Sequence, residues 1–407
     1  MRARHTPHSL PSFPVYSSAF LSENQLVLGG GGGASKTGIK NKLRLYDVDG
    51  QRNIDLKAEF ELERGEDAPM SMAAHTQGST LICGVNSTLE QLEKGENENC
   101  RVFSVRDNNI NLLEKCNTLP AGDLEDYQKV TILSPDGTLL AVAGAHHLTL
   151  LSYPSLTPVA NPIETPKEIY DATFSATSLV IATTMNLLVY ALPNIEKTST
   201  TSPKKGKGKN KLGGGSSEKI GTLELKETVG LPSMTGGSAG STFRAARFHP
   251  TNKVLYTVIN TSPPRTKKSK SSARQAYICK WNTESWNMEK SRRVGDRGLT
   301  CFNISADGRF LGYGSSDLAI GMLDAKTLNP LVTILKAHEF PPTTITFNPT
   351  TTLLVSGSAD NSIRIVSVPQ IAGSPSWSLI LLILLTLMIA FFAFVLQNYI
   401  SMDTIKW

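Results

Sequence analysis

A strand pattern that recurs about every forty-three residues leaves this chain few folds to choose from. Residues 345–368 read as an apolar strand, an Asn-Pro turn, a second apolar strand, a small-residue turn and a third, alternating strand. Residues 301–323 repeat that order, and residues 130–152 carry another copy. Weaker copies begin near Val15, Met72, Ala172 and Ala246, which makes seven units. A single twisted four-stranded sheet cannot bury both faces, whereas seven arranged radially cover one another and leave only short edges. The pattern predicts an all-β, seven-bladed propeller over residues 1–370.

The units resemble WD40-type repeats with degraded signatures, of which Ala337-His338 and Tyr46-Asp47 are partial relics. His338 and Asp360 have the spacing of the hydrogen-bonding pair that braces such repeats, so a structural role is expected for both. The last repeat shows only three strands before the chain changes character. The segment before Val15 is therefore expected to supply the fourth strand and close the ring, removing an exposed edge.

That change of character is the run 379–396, LILLILLTLMIAFFAFVL, which carries no charge and has Thr386 as its one plainly polar residue. Its length suits one passage through a bilayer, with Trp377 and Tyr399 placed like interfacial aromatics. The expected order is a linker at 371–377, a transmembrane helix at 378–397 and a short tail at 398–407. The N-terminal segment has no uninterrupted apolar stretch and is not a secretory signal. The five cysteines show no CxxC spacing and no histidine grouping, so they read as reduced thiols in a reducing compartment. Both points favour a cytosolic propeller and a lumenal tail. If the propeller were lumenal, Asn86, Asn260 and Asn303 would be glycosylation acceptors.

Three connections are expanded: residues 86–100, acidic and polar; 196–241, with Lys-Gly and Gly-Ser runs; and 262–274, basic. Their low apolar content predicts disordered surface loops. The net charge of +6 draws much of its excess from the latter two, which suits attraction to anionic lipid headgroups. Neither run interleaves aromatics, which argues against nucleic acid as a partner.

One further connection is too long and too glycine-rich for its place. Residues 29–42, GGGGGASKTGIKNK, join two strands that a hairpin of two to five residues would normally link. Five consecutive glycines permit positive φ and close approach, at an entropic cost that a structural turn would avoid. The stretch nearly matches a phosphate-binding loop, but Ile39 stands where lysine is needed, no Ser or Thr follows Lys40, and a strand follows instead of a helix. Nucleotide binding by this chain alone is not expected. No Ser/His/Asp order, paired carboxylates or HExxH motif marks a hydrolase or oxidoreductase.

Gly30, Gly31, Gly32 and Gly33, followed by Lys36-Thr37-Gly38-Ile39-Lys40-Asn41, resemble the first-blade loop of one family: the endoplasmic-reticulum membrane WD40 proteins of the prolactin regulatory element-binding protein type. These are guanine nucleotide exchange factors for the Sar-type small GTPase. The resemblance extends to the propeller and the C-terminal apolar segment, and the loop is its specific part. It implies a GTPase regulator rather than an enzyme, residing in the endoplasmic reticulum membrane and starting COPII coat assembly for transport to the Golgi. It also implies that residues 29–41 form an exchange loop organised around a potassium ion. Gly38, Ile39 and Asn41 are the expected ion ligands, and Lys36 and Lys40 the groups that reach acidic or phosphate partners. A membrane-anchored scaffold without exchange activity is the alternative.

Overall fold

The computed structural model describes residues 4–34, 37–193, 221–233, 240–261, 274–369 and 377–403, with side-chain surroundings in the last segment for 381–395. Two compact units result, Met1–Val368 and Pro369–Trp407. The first contains seven antiparallel four-stranded sheets. Blade one comprises β2 (Val15–Phe20), β3 (Gln25–Gly30), β4 (Lys42–Val48) and β5 (Ile54–Glu61). Blade two comprises β6 (Ser71–His75), β7 (Thr80–Gly84), β8 (Cys100–Arg106) and β9 (Asn109–Cys116). Blades three to six occupy residues 130–164, 169–230, 242–295 and 299–334.

Blade seven is closed from the other end of the chain. β1 (His5–Ser9) pairs in antiparallel register with Ser362–Ser367, His5 opposite Val366 and Ser9 opposite Ser362. The expected closing strand is therefore present.

The apolar core is divided as the repeat dictates. Each of the seven hydrophobic clusters lies between two adjacent blades. Leu28 and Val355 meet between blades one and seven, for example, and Leu45 and Phe103 between one and two. Alternation along each strand places one apolar row against each neighbouring blade. His338 is buried and braced as its spacing predicts, with Nδ1 3.3 Å from the Asp360 carboxylate and Nε2 2.8 Å from Ser356 Oγ.

The insertion at 86–100 differs from expectation, because it is folded. A short helix, α1 (Leu89–Glu93), begins after Thr88, whose backbone N–H donates to Gln91 Oε1 at 3.1 Å. Asn86 Nδ2 donates to the Asp126 carbonyl at 2.8 Å, and Asn99 is fully buried against Thr118 and Gln128. Polar side chains satisfy one another here, so the segment packs without an apolar stripe. The insertion expected at 196–241 is also folded in part: Leu225–Gly230 is a strand that pairs with Asn186–Ala191 as the outer strand of blade four, where backbone pairing and the buried Val229 suffice without an apolar stripe. Its remainder at 196–220 and 234–239, nearly all of 262–274, and the expected linker apart from Trp377 lie outside the described residues.

In the second unit, α2 (Trp377–Asp403) covers the apolar run. Among the described residues no helix is long and apolar enough to cross a membrane. Over 381–395 its large apolar side chains are exposed on every face, including Leu381, Leu385, Phe391 and Phe394.

Candidate functional site

Within a blade, antiparallel strands place the β3–β4 connection at the same end of the sheet as the connection from β5 to the next blade. The glycine loop therefore meets residues 62–70, which lead from blade one to blade two. Gly29 and Gly30 lie inside β3, opposite Leu43 and Lys42, so the loop proper runs from Gly31 to Asn41. Gly30 must be glycine for packing, because a Cβ there would stand 2.2 Å from the Pro14 carbonyl oxygen. Gly31, Gly33 and Gly38 have φ of 141°, 71° and 77°, which side chains rarely adopt.

Asn41 holds the loop shut. Gly33 donates its N–H to Asn41 Oδ1 at 2.9 Å, and Asn41 Nδ2 donates to the Gly33 carbonyl at 3.0 Å and to the Glu66 carbonyl at 2.7 Å. Asp67 Oδ1 accepts from the Ala34 N–H at 3.0 Å. Leu62 donates its N–H to the Asn41 carbonyl at 2.9 Å. The base of the loop is thus fastened to the interblade segment at several points. Among the described residues of its tip, Thr37, Gly38 and Lys40 are exposed and Ile39 is half-buried. Lys40 forms an ion pair with Glu61 at 2.6 Å, but a pair so exposed contributes at most about 1 kcal/mol and leaves the ammonium free to exchange partners. Lys36 lies outside the described residues.

Oxygen atoms stand close against two of the glycines, where only the lack of a side chain admits them. A Cβ on Gly31 would meet Asn41 Oδ1 at 2.2 Å and the Lys40 carbonyl at 2.7 Å, and one on Gly32 would meet Thr37 Oγ1 at 2.1 Å and the Ile39 carbonyl at 2.9 Å. These are neutral oxygens, a donor set suited to a weakly hydrated monovalent cation. Ile39 and Asn41 each contribute an oxygen here, and Gly38 stands beside open space, with nothing within 4 Å of a Cβ on it. Among the described residues no group of three His, Cys, Asp or Glu side chains could hold a metal.

At the same end, in five blades, the innermost strand carries a β-bulge at its start. The extra residues, Tyr16, Tyr170, Arg244, Thr300 and Thr343, line a central cavity of about 520 Å³. Burial pushes the Tyr16 hydroxyl pKa upward, and the charge of Asp67, the residue that holds Ala34, adds to the shift. Lys129 and Arg247 are paired with Glu168 and Asp171, so much of the cavity charge cancels. The described cysteines are free, and burial pushes Cys279 and Cys301 up to about 12, which leaves neither as a ready nucleophile.

The sequence reading found the loop and missed its supports. Glu66, Asp67 and Arg101 carry no motif, and the acidic residues of 62–70 look like any solvated linker.

Fold and site together define a seven-bladed WD40-type propeller whose first blade carries a clamped, oxygen-lined glycine loop. Residues 329–367 match the family model described as WD domain, G-beta repeat. Likeness to curated proteins spans nearly the whole chain. It is 22% identical to "Guanine nucleotide-exchange factor SEC12" of Candida glabrata, over 99% of this chain and 81% of that protein. It is 25% identical to "SEC12-like protein 2" of Arabidopsis thaliana, over 84% and 75%. With the rat protein named guanine nucleotide-exchange factor SEC12, identity is 23% over 91% of this chain and 92% of that one. Among solved structures, Raptor of Chaetomium thermophilum matches in fold alone, with a TM-score of 0.60 and 12% identity over 90% of this chain and 29% of that one. The chain is thus similar, at 22–25% identity over 84–99% of its length, to proteins named for SEC12.

Proposed function

We propose that this chain is a guanine nucleotide exchange factor for a Sar-type small GTPase at the endoplasmic reticulum membrane. It promotes release of GDP so that GTP loads and COPII vesicle coat assembly begins, at the start of transport to the Golgi. One combination of observations carries the reading: near full-length likeness to proteins named exchange factors, together with a loop whose base is clamped and whose tip is exposed.

A surface that binds the GDP-bound and nucleotide-free GTPase equally well changes nothing. One that prefers the nucleotide-free form lowers the barrier to GDP release, and cellular nucleotide levels then decide what rebinds. The clamp suits that task because it fixes the loop before the partner arrives, so binding energy is not consumed in ordering it. Residues 37–40 form the contact tip, with Lys40 exchanging Glu61 for acidic groups of the partner. Gly38, Ile39 and Asn41, together with Thr37 and the Lys40 carbonyl, are the residues that would hold a potassium ion, which would supply positive charge among their neutral oxygens and stiffen the loop.

Residues 378–397 serve as a single membrane anchor, with the propeller cytosolic and the tail lumenal. The uncharged run 379–396 and the apolar side chains exposed around α2 support this reading. Anchoring raises the effective concentration toward a GTPase recruited to the same surface.

The deciding experiment uses the chain, a Sar-type GTPase loaded with labelled GDP, and buffers of potassium or sodium. Faster GDP release, greatest in potassium, is expected. No acceleration in either buffer would leave an anchored scaffold.

A further inference from the structure

We propose that the buried ion pair between Glu66 and Arg101 positions the exchange loop, so that Arg101, in blade two, acts on the reaction of a loop that belongs to blade one. The proposal rests on the exchange-factor reading above.

Arg101 lies on β8 and Glu66 in the segment joining the first two blades, and both are 2% exposed. Arg101 Nη1 stands 2.7 Å from Glu66 Oε1, and Nε donates to the Glu98 carbonyl at 3.2 Å. Glu66 Oε2 accepts from the Glu63 N–H at 2.9 Å, which turns the short segment back on itself. The carboxylate is thereby fixed from two sides, and the carbonyl of the same residue is the one that receives Asn41 Nδ2 at 2.7 Å. The next residue is fixed as well: the Asp67 N–H donates to the Asn86 carbonyl at 3.0 Å, while its carboxylate holds Ala34. Force on Arg101 therefore reaches Gly33 through Glu66 and Asn41, and Ala34 through Glu66 and its neighbour Asp67.

Stability alone is a poor explanation for such a pair. Taking both charges out of water costs several kcal/mol, and well-packed apolar replacements often do as well or better. Arg101 is an especially costly choice, because its Nη2 is buried with no hydrogen-bond partner among the described residues. An apolar contact of the same volume is non-directional and would not aim a carbonyl. A charged, hydrogen-bonded pair fixes direction, and direction is what the Asn41 amide requires.

The test uses the full chain and the double variant Glu66→Gln with Arg101→Met, which keeps volume and removes both charges. Three quantities are measured: the melting midpoint, amide hydrogen exchange over 31–34 and 41–42, and the kinetics of GDP release against GTPase concentration. The proposal expects the Gly33 and Ala34 amides to exchange about tenfold faster and kcat to fall about tenfold. It also expects KM within about twofold and a midpoint within about 3 °C of the parent. Unchanged amide exchange in the double variant would overturn it. Should that variant fail to fold, Arg101→Lys keeps the charge but loses the fixed fork, and the same loosening of the two amides is required of it. If the parent chain itself does not accelerate GDP release, the exchange-factor reading falls, and the loop amides still judge the ion pair.

Discussion

Asn41 ties three segments together with one amide: the start of the loop at Gly33, the end of the loop where it stands, and the interblade segment at Glu66. Replacing it with alanine strands two carbonyls and one N–H, at a cost of about 1–3 kcal/mol for each group left unpaired. The loss falls on the loop, because the β3–β4 ladder does not pass through that side chain. Asn41→Ala, made with Ile39→Ala, should slow GDP release about a hundredfold while the melting midpoint moves by only about 2 °C. An equal collapse of folding would make the loop structural instead. His338 supports a second residue-scale prediction. Burial pushes its pKa below the ordinary imidazole value, with Asp360 opposing the shift and Arg364 adding to it. The unfolded chain therefore binds a proton more readily than the folded one, and stability is lost as pH falls through about 6.5. Melting midpoints at pH 7.5 and 5.5 should show that loss, and it should be smaller in His338→Gln; an identical pH dependence in both chains would refute the account. The residue scale also marks where sequence reading stops. Asn41 is legible because it closes a contiguous motif, whereas Glu66 and Arg101 lie thirty-five positions apart and become a pair only once the blades are stacked.

At the scale of elements, β1 was the least conspicuous strand in the sequence and carries the closure of the ring. Its five paired residues read HTPHS, with no apolar alternation, and the inference rested on a missing strand elsewhere. Removing residues 1–9 exposes the edge of Ser362–Ser367 and deletes the ladder, so the melting midpoint should fall by about 10 °C and aggregation should rise. An unchanged melt would mean that blade seven does not need its fourth strand. The insertion at 86–100 illustrates the opposite failure of sequence reading. Hydrophobic periodicity is the main signal for order, and this segment has none, because Asn86, Asn97 and Asn99 form its contacts. Order built from mutually satisfied amides leaves no pattern along the chain.

For the whole molecule, the sequence also suggested a topology test that the fold makes uninformative. The sequon asparagines Asn86, Asn260 and Asn303 each donate Nδ2 to a backbone carbonyl within the propeller, of Asp126, Leu299 and Ile345. A glycan on any of them requires that amide free. Their lack of modification would therefore follow from folding on either side of a membrane. Protease protection separates the two cases, because it asks where the whole propeller lies and not whether one amide is accessible. In sealed microsomes carrying the full chain, protease added outside should destroy the propeller without detergent. Alkaline carbonate should leave the full chain in the membrane pellet and release one ended at residue 370, since only the full chain retains the uncharged run 379–396. A propeller protected until detergent is added would reverse the orientation. Release of the full chain by carbonate would instead remove the anchor, and with it the argument that proximity to a membrane-bound GTPase contributes to exchange.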